Sequence, residues 1–125
     1  TYNNLIEEIK EYFKNKKTQL NKLGFKKIIL DPGFGFGKTI EDNYKLMNEL
    51  NEFHQFKYPI LVGISRKSMI YNLLNNSPKD ALNGTSILNT IALQKGARIL
   101  RVHDTKEAIE CIKINEHLYH TKNHH

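Results

Sequence analysis

At 125 residues, 39% of them hydrophobic, the chain is long enough for one ordinary domain with its own core. Its apolar runs are only a few residues long, which leaves no segment to span a bilayer, and the polar, amphipathic N-terminus lacks a secretory-signal pattern. The formal charge of +6 invites an anionic partner, but all 19 basic residues except Arg66, Arg98 and Arg101 are lysines scattered over helix faces and turns; a solvated lysine surface is expected, with no nucleic-acid and no membrane partner.

Cys111 has no second cysteine to pair with, which fits a reducing, cytoplasmic setting. The first residue is Thr1 rather than Met, and a longer parent chain is the expectation.

In chain order, residues 2–22 show helical spacing, with Leu5, Ile6, Ile9, Tyr12, Phe13 and Leu20 on one face and Gly24 as the stop. Phe25–Leu30 reads as a strand and residues 31–40 as a loop. Residues 41–53 read as a helix carrying Tyr44, Leu46, Met47, Leu50 and Phe53. Pro59 opens a strand over Ile60–Ile64, and Ser65 is the expected N-cap of a helix running to about Leu74. A turn at residues 75–78 leads, with Ser77 as cap and Pro78 in the first position, into a helix that stops at Gly96. Ala97–Val102 is the last strand, and Asp104 with Glu107 makes a capping-box-like start for a helix over about residues 105–118. The main unit is thus 1–118, followed by a polar tail over 119–125. His117, His120, His124 and His125 lie in or beside that tail, where frayed polar chain is expected rather than a metal site.

Strands alternating with helices pair in parallel, so the class is α/β. The strands begin near residues 26, 60 and 98, close to the spacing of about 30 residues per unit in a (β/α)₈ barrel. Such a barrel has eight strands, and this chain shows only a fraction of them.

Three strand ends carry polar motifs. Asp31-Pro32-Gly33-Phe34-Gly35-Phe36-Gly37-Lys38 delivers a carboxylate into a glycine-rich loop flanked by aromatic rings. The loop is one residue short of a P-loop, and a dinucleotide fingerprint would need glycine where Lys38 stands. A glycine turn with Asp31 capping an amide remains the plain alternative. Ser65-Arg66-Lys67-Ser68 places cations where a helix start favours acids, which suits an anionic ligand; a Ser-capped helix with two solvated cations is the alternative. In Arg101-Val102-His103-Asp104, strand alternation puts Arg101 and His103 on one side, suited to a phosphorylated leaving group unless that side faces water.

Together with Gly63-Ile64, these three motifs, in this order and spacing, resemble the later strands of bacterial dihydropteroate synthases; Asn43-Tyr44 and Glu52-Phe53 also fall where that family places them. The resemblance covers nearly all of residues 1–115. It implies the C-terminal part of a TIM (β/α)₈ barrel: three βα units plus the preceding helix. It implies condensation of 6-hydroxymethyl-7,8-dihydropterin diphosphate with 4-aminobenzoate, giving dihydropteroate and diphosphate in folate biosynthesis. Residue by residue, it implies pterin contacts from Asp31, Lys67 and Arg101, diphosphate contacts from Arg101 and His103, and a 4-aminobenzoate pocket at Ser65, Phe36 and Arg66. Arg101, His103 and Lys67 carry the catalytic role. Mg²⁺ is implied as cofactor, held mainly by the diphosphate and by N-terminal residues with no counterpart here, and no metal ligand is expected within this segment. A homodimer is implied for the full-length chain, while the segment alone is expected to be inactive. A pterin-binding methyltransferase barrel and an inactive truncated relic are the alternatives.

Overall fold

The computed structural model describes residues 2–35 and 37–123. Its elements are α1 (Tyr2–Lys22), α2 (Ile40–Asn48), β1 (Ile60–Val62), α3 (Ser68–Tyr71), α4 (Leu82–Gln94), β2 (Ala97–Leu100) and α5 (Thr105–Asn123), with short 3₁₀ turns at Leu50–Phe56 and Pro78–Asp80. β1 and β2 pair in parallel, Ile60 beside Ala97 and Val62 beside Leu100, with an irregularity between Ile60 and Leu61. The whole of α4 lies between the two strands, as a parallel crossover requires.

The strand expected over Phe25–Leu30 is only partly realised. Leu30 alone makes a parallel bridge to Ile60, through Leu30 N–H to the Pro59 carbonyl (2.9 Å) and Leu61 N–H to the Leu30 carbonyl (2.8 Å). Phe25, Lys26 and Lys27 remain exposed outside any ladder. The helix expected over 41–53 ends at Asn48 and continues as the Leu50–Phe56 turn. Thr39 starts α2, accepting from the Asp42 N–H at 3.0 Å.

Ser65 is not a helix cap. The helix behind it is a single turn, α3, and its N-cap is Lys67. Arg66 intervenes with φ at 54°, a left-handed conformation that bends the chain before a helix can form. Ser77 likewise precedes a 3₁₀ turn, not α4, and its hydroxyl donates to Asp80. α5 runs on through Asn123, beyond the expected end near residue 118, so most of the presumed frayed tail is helical.

The core lies where α1, α2, the 3₁₀ turn and the sheet meet. Leu46, Leu50, Phe53, Ile60, Val62 and Ile64 are fully buried. Phe13 of α1 meets Phe53 edge-on at 5.4 Å and Phe56 at 5.9 Å. This packing fixes β1 and leaves the C-terminal ends of the strands to carry the polar loops. Among the described residues no helix is long and apolar enough to cross a membrane.

Candidate active site at the strand ends

The glycine loop takes its shape from its alternation. Gly33, Gly35 and Gly37 have φ of 78°, 90° and 77°, values that residues with a Cβ rarely adopt. Between them Phe34 is buried almost completely, anchoring the loop to the core. Phe36 lies outside the described residues. Asp31 closes the first turn by accepting the Gly33 N–H through Oδ1 at 2.9 Å. Asn43, buried on α2, closes the far side: its Oδ1 accepts the Gly35 N–H at 2.8 Å and its Nδ2 donates to the Thr39 carbonyl at 2.9 Å.

Three cations converge on this loop. Lys38 Nζ donates to the Gly33 carbonyl at 2.6 Å, and Lys67 Nζ donates to the Phe34 carbonyl at 2.5 Å. Arg101 Nη1 donates to Asp31 Oδ2 at 3.2 Å, bringing together residues seventy positions apart. Burial, then the neighbouring Arg101 guanidinium, pushes the Lys67 pKa below lysine's ordinary value; Asp31 opposes the shift. The first motif is thereby joined to both of the others.

The second and third motifs are joined to each other as well. Ser65 is buried and its Oγ accepts the His103 N–H at 3.3 Å. The Asp104 carboxylate, expected at the start of α5, forms a two-pronged pair with Arg66, Nε to Oδ2 at 2.9 Å and Nη2 to Oδ1 at 3.1 Å. This hydrogen-bonded guanidinium holds the Asp104 carboxyl below the usual range and raises Arg66. Arg66 Nη1 also donates to the Pro78 and Lys79 carbonyls, at 2.7 and 3.0 Å. Its own N–H donates to Thr85 Oγ1 at 3.0 Å, which offsets the strain of its left-handed backbone.

Gly63, Ser65, Lys67, Arg101, Val102 and His103 line one small pocket of about 120 Å³. A larger hollow of about 710 Å³ lies at the opposite end of β2, against Arg98, Glu116 and Tyr119. Sites in parallel barrels sit at the C-terminal ends of strands, so the small pocket is the one that belongs to the chemistry. Asp31, Lys67, Arg101 and His103 are therefore grouped at one end of the sheet. Arg66 is grouped with them, but its guanidinium is engaged by Asp104 and two carbonyls. Ser68, at the first position of α3, is exposed, whereas Ser65, the expected cap, is buried. Thr85 emerged from the fold, and so did the task of Asn43, which the resemblance named without a role: nothing in their spacing marks a buried amide that closes a loop eight residues earlier, or a hydroxyl that receives Arg66. No three His, Cys, Asp or Glu side chains cluster into a metal cage among the described residues.

Helices alternating with parallel strands, with a carboxylate and several cations gathered at the strand ends, define a β/α segment whose polar residues meet at one end of its sheet. Residues 1–103 match the family described as pterin binding enzyme, and the chain belongs to that family. The dihydropteroate synthase of Escherichia coli strain K12 is 44% identical over 117 residues, covering 92% of this chain and 42% of that protein. A solved Yersinia pestis dihydropteroate synthase, with a pterine-sulfa conjugate, superposes with a TM-score of 0.91 at 41% identity over 94% of this chain and 47% of that one. The Coxiella burnetii dihydropteroate synthase in complex with pteroic acid gives 0.90 at 36% identity, over 94% of this chain and 44% of that one. The chain thus spans less than half the length of these three relatives, and its fold is part of a TIM barrel.

Proposed function

We propose that this segment supplies the C-terminal wall of a dihydropteroate synthase pocket. In this reading a barrel-length chain joins 6-hydroxymethyl-7,8-dihydropterin diphosphate to 4-aminobenzoate and releases diphosphate. The observation that carries it is the convergence of Asp31, Lys67 and Arg101 at the glycine loop. A carboxylate can accept the paired N–H donors of an amino-pyrimidine edge, and an ammonium can donate to the pterin carbonyl and ring nitrogen. Arg101 and His103 take the diphosphate, whose departure needs cationic stabilisation. The aniline nitrogen of 4-aminobenzoate is nucleophile enough without a strong base, so the protein contributes position and leaving-group electrostatics.

The 4-aminobenzoate end is assigned to the start of α3, with Ser65 and Arg66 holding its shape and Ser68 presenting an exposed hydroxyl; the part the resemblance gives Phe36 falls outside the described residues. Among the described residues there is no carboxylate cage for Mg²⁺; in the proposed enzyme the ion would be held by the diphosphate and by residues elsewhere in the barrel. The enzyme is placed in the cytoplasm as a homodimer with no nucleic-acid or membrane partner. Its relatives' complexes with a pterine-sulfa conjugate and with pteroic acid support a ligand that joins both halves of the pocket. Asp31→Asn in the barrel-length protein replaces one acceptor with a donor, and the expected result is a loss of pterin affinity of roughly 10²-fold with 4-aminobenzoate binding retained. Calorimetric titration of both ligands checks it; unchanged pterin affinity would remove Asp31 from the site.

A further inference from the structure

Gly63 is buried just beyond β1, and its φ lies outside the left-handed range that makes glycine necessary at Gly33, Gly35 and Gly37. Its own backbone angle does not exclude a larger residue. What a side chain there would meet is the neighbouring guanidinium. A Cβ placed on Gly63 would stand 2.4 Å from Arg101 Nη2, 2.8 Å from Cζ and 3.0 Å from Nε. The Arg101 N–H is fixed to the Val62 carbonyl at 3.0 Å, so the side chain sets out from an anchored point on the neighbouring strand. It then crosses the bare face of Gly63 to place Nη1 3.2 Å from Asp31 Oδ2.

We infer that Gly63 is a positioning residue: its missing side chain is the shelf on which the Arg101 guanidinium lies, within reach of Asp31 and of the ligand's diphosphate. The role of the diphosphate rests on the function proposed above; the shelf itself does not. A methyl at this position meets the far end of a flexible side chain, not backbone, so the fold tolerates it while the guanidinium moves. Displacing a charged donor by about 1 Å is enough to weaken an aligned contact severely.

The test is Gly63→Ala, with Arg101→Ala and the double variant, in the barrel-length protein. In the ligand-free state the Arg101 Nε–H resonance reports the guanidinium position. Affinities for the dihydropterin diphosphate and for the same pterin without diphosphate report the consequence. Gly63→Ala is expected to shift the resonance, to weaken the diphosphate ester about tenfold and to affect the bare pterin less. Added to Arg101→Ala, it is expected to change neither affinity further. An unshifted resonance, or an equal loss in the Arg101→Ala background, overturns the inference. Should Gly63→Ala fail to fold, recovery of folding in the double variant supports the collision with Arg101, and failure there too overturns it. A wild-type protein that binds neither pterin, with the resonance still shifted by Gly63→Ala, leaves the shelf standing and removes the pterin reading.

Discussion

Lys67 donates to the Phe34 carbonyl from a partly buried position near Arg101; burial first and the guanidinium next disfavour its charge, and Asp31 opposes them. A lysine whose pKa falls on folding binds its proton more weakly in the folded chain, so its charge opposes folding at neutral pH and the opposition fades as pH rises through the lowered value. Lys67→Met is therefore expected to keep or raise the urea midpoint at about pH 7 and to lose that advantage at alkaline pH, while abolishing measurable pterin binding. Asp104 has the opposite sign. Its carboxyl is held low by Arg66, so the pair stabilises the fold above the ordinary carboxylate range and stops doing so as pH falls through the lowered value. Asp104→Asn is expected to lower the urea midpoint near neutrality and to match the wild type in strong acid; equal midpoints at both pH values would show the pair to be idle. At this scale the sequence marked residues that the fold gathers, and said less of what each one touches. Asp31, Lys67 and Arg101 stand out because cations and a carboxylate end apolar runs. The partnership of Arg66 with Asp104 depends on two loops thirty-eight positions apart, and no local pattern encodes it.

The helices α1, α4 and α5 and the two strands were legible from periodicity, because each buries a face against a neighbour present in the same chain. Phe25–Leu30 was read as a full strand from its apolar content, yet only Leu30 finds a partner: β1 begins at Ile60, and Phe25 and Ile29 are left half exposed. Ser65 looked like a cap because serine followed by a helical pattern usually is one; the left-handed Arg66 displaced the helix start by two residues. Two substitutions probe the elements that do hold together. Phe53 is fully buried between α1 and the sheet, and truncation to alanine is expected to destabilise the fold by about 3–5 kcal/mol. Gly96 ends the α4 crossover at a φ of 104° with a would-be Cβ 1.7 Å from His54 Nε2. Gly96→Ala is expected to destabilise strongly, and His54→Ala is expected to recover only part of the loss, because the backbone strain remains. Urea melts of the single and double variants check both.

The molecule as a whole exposes 8279 Å², against about 6,900 Å² for a compact monomer of this mass. The excess is partly apolar: Tyr12, Leu23, Phe25 and Ile29 are each more than half exposed beside the bridge at Leu30, and Ile114 and Leu118 lie open on α5. Parallel sheets are stable when both edges and both faces are covered, and here the β2 edge and the edge beside Leu30 stand open among the described residues. The isolated segment is accordingly expected to unfold at low urea concentration and to associate as its own concentration rises; sedimentation at two concentrations checks this, and a compact, concentration-independent monomer would contradict it. The barrel rhythm and the three motifs were readable from the sequence, since strand spacing and strand-end chemistry are local. The pocket was not, because it forms where separate strand ends meet in space, as Ser65 meets His103.

The central claim is that these residues form one wall of a synthase pocket and act only with the remainder of the barrel. The decisive measurement is release of labelled diphosphate alongside dihydropteroate formation, run on the 125-residue segment and on the barrel-length protein that carries it. The account predicts one diphosphate released per dihydropteroate formed by the barrel-length protein and no turnover by the segment. Turnover by the segment alone, or none by the intact barrel when both substrates and Mg²⁺ are supplied, would contradict it.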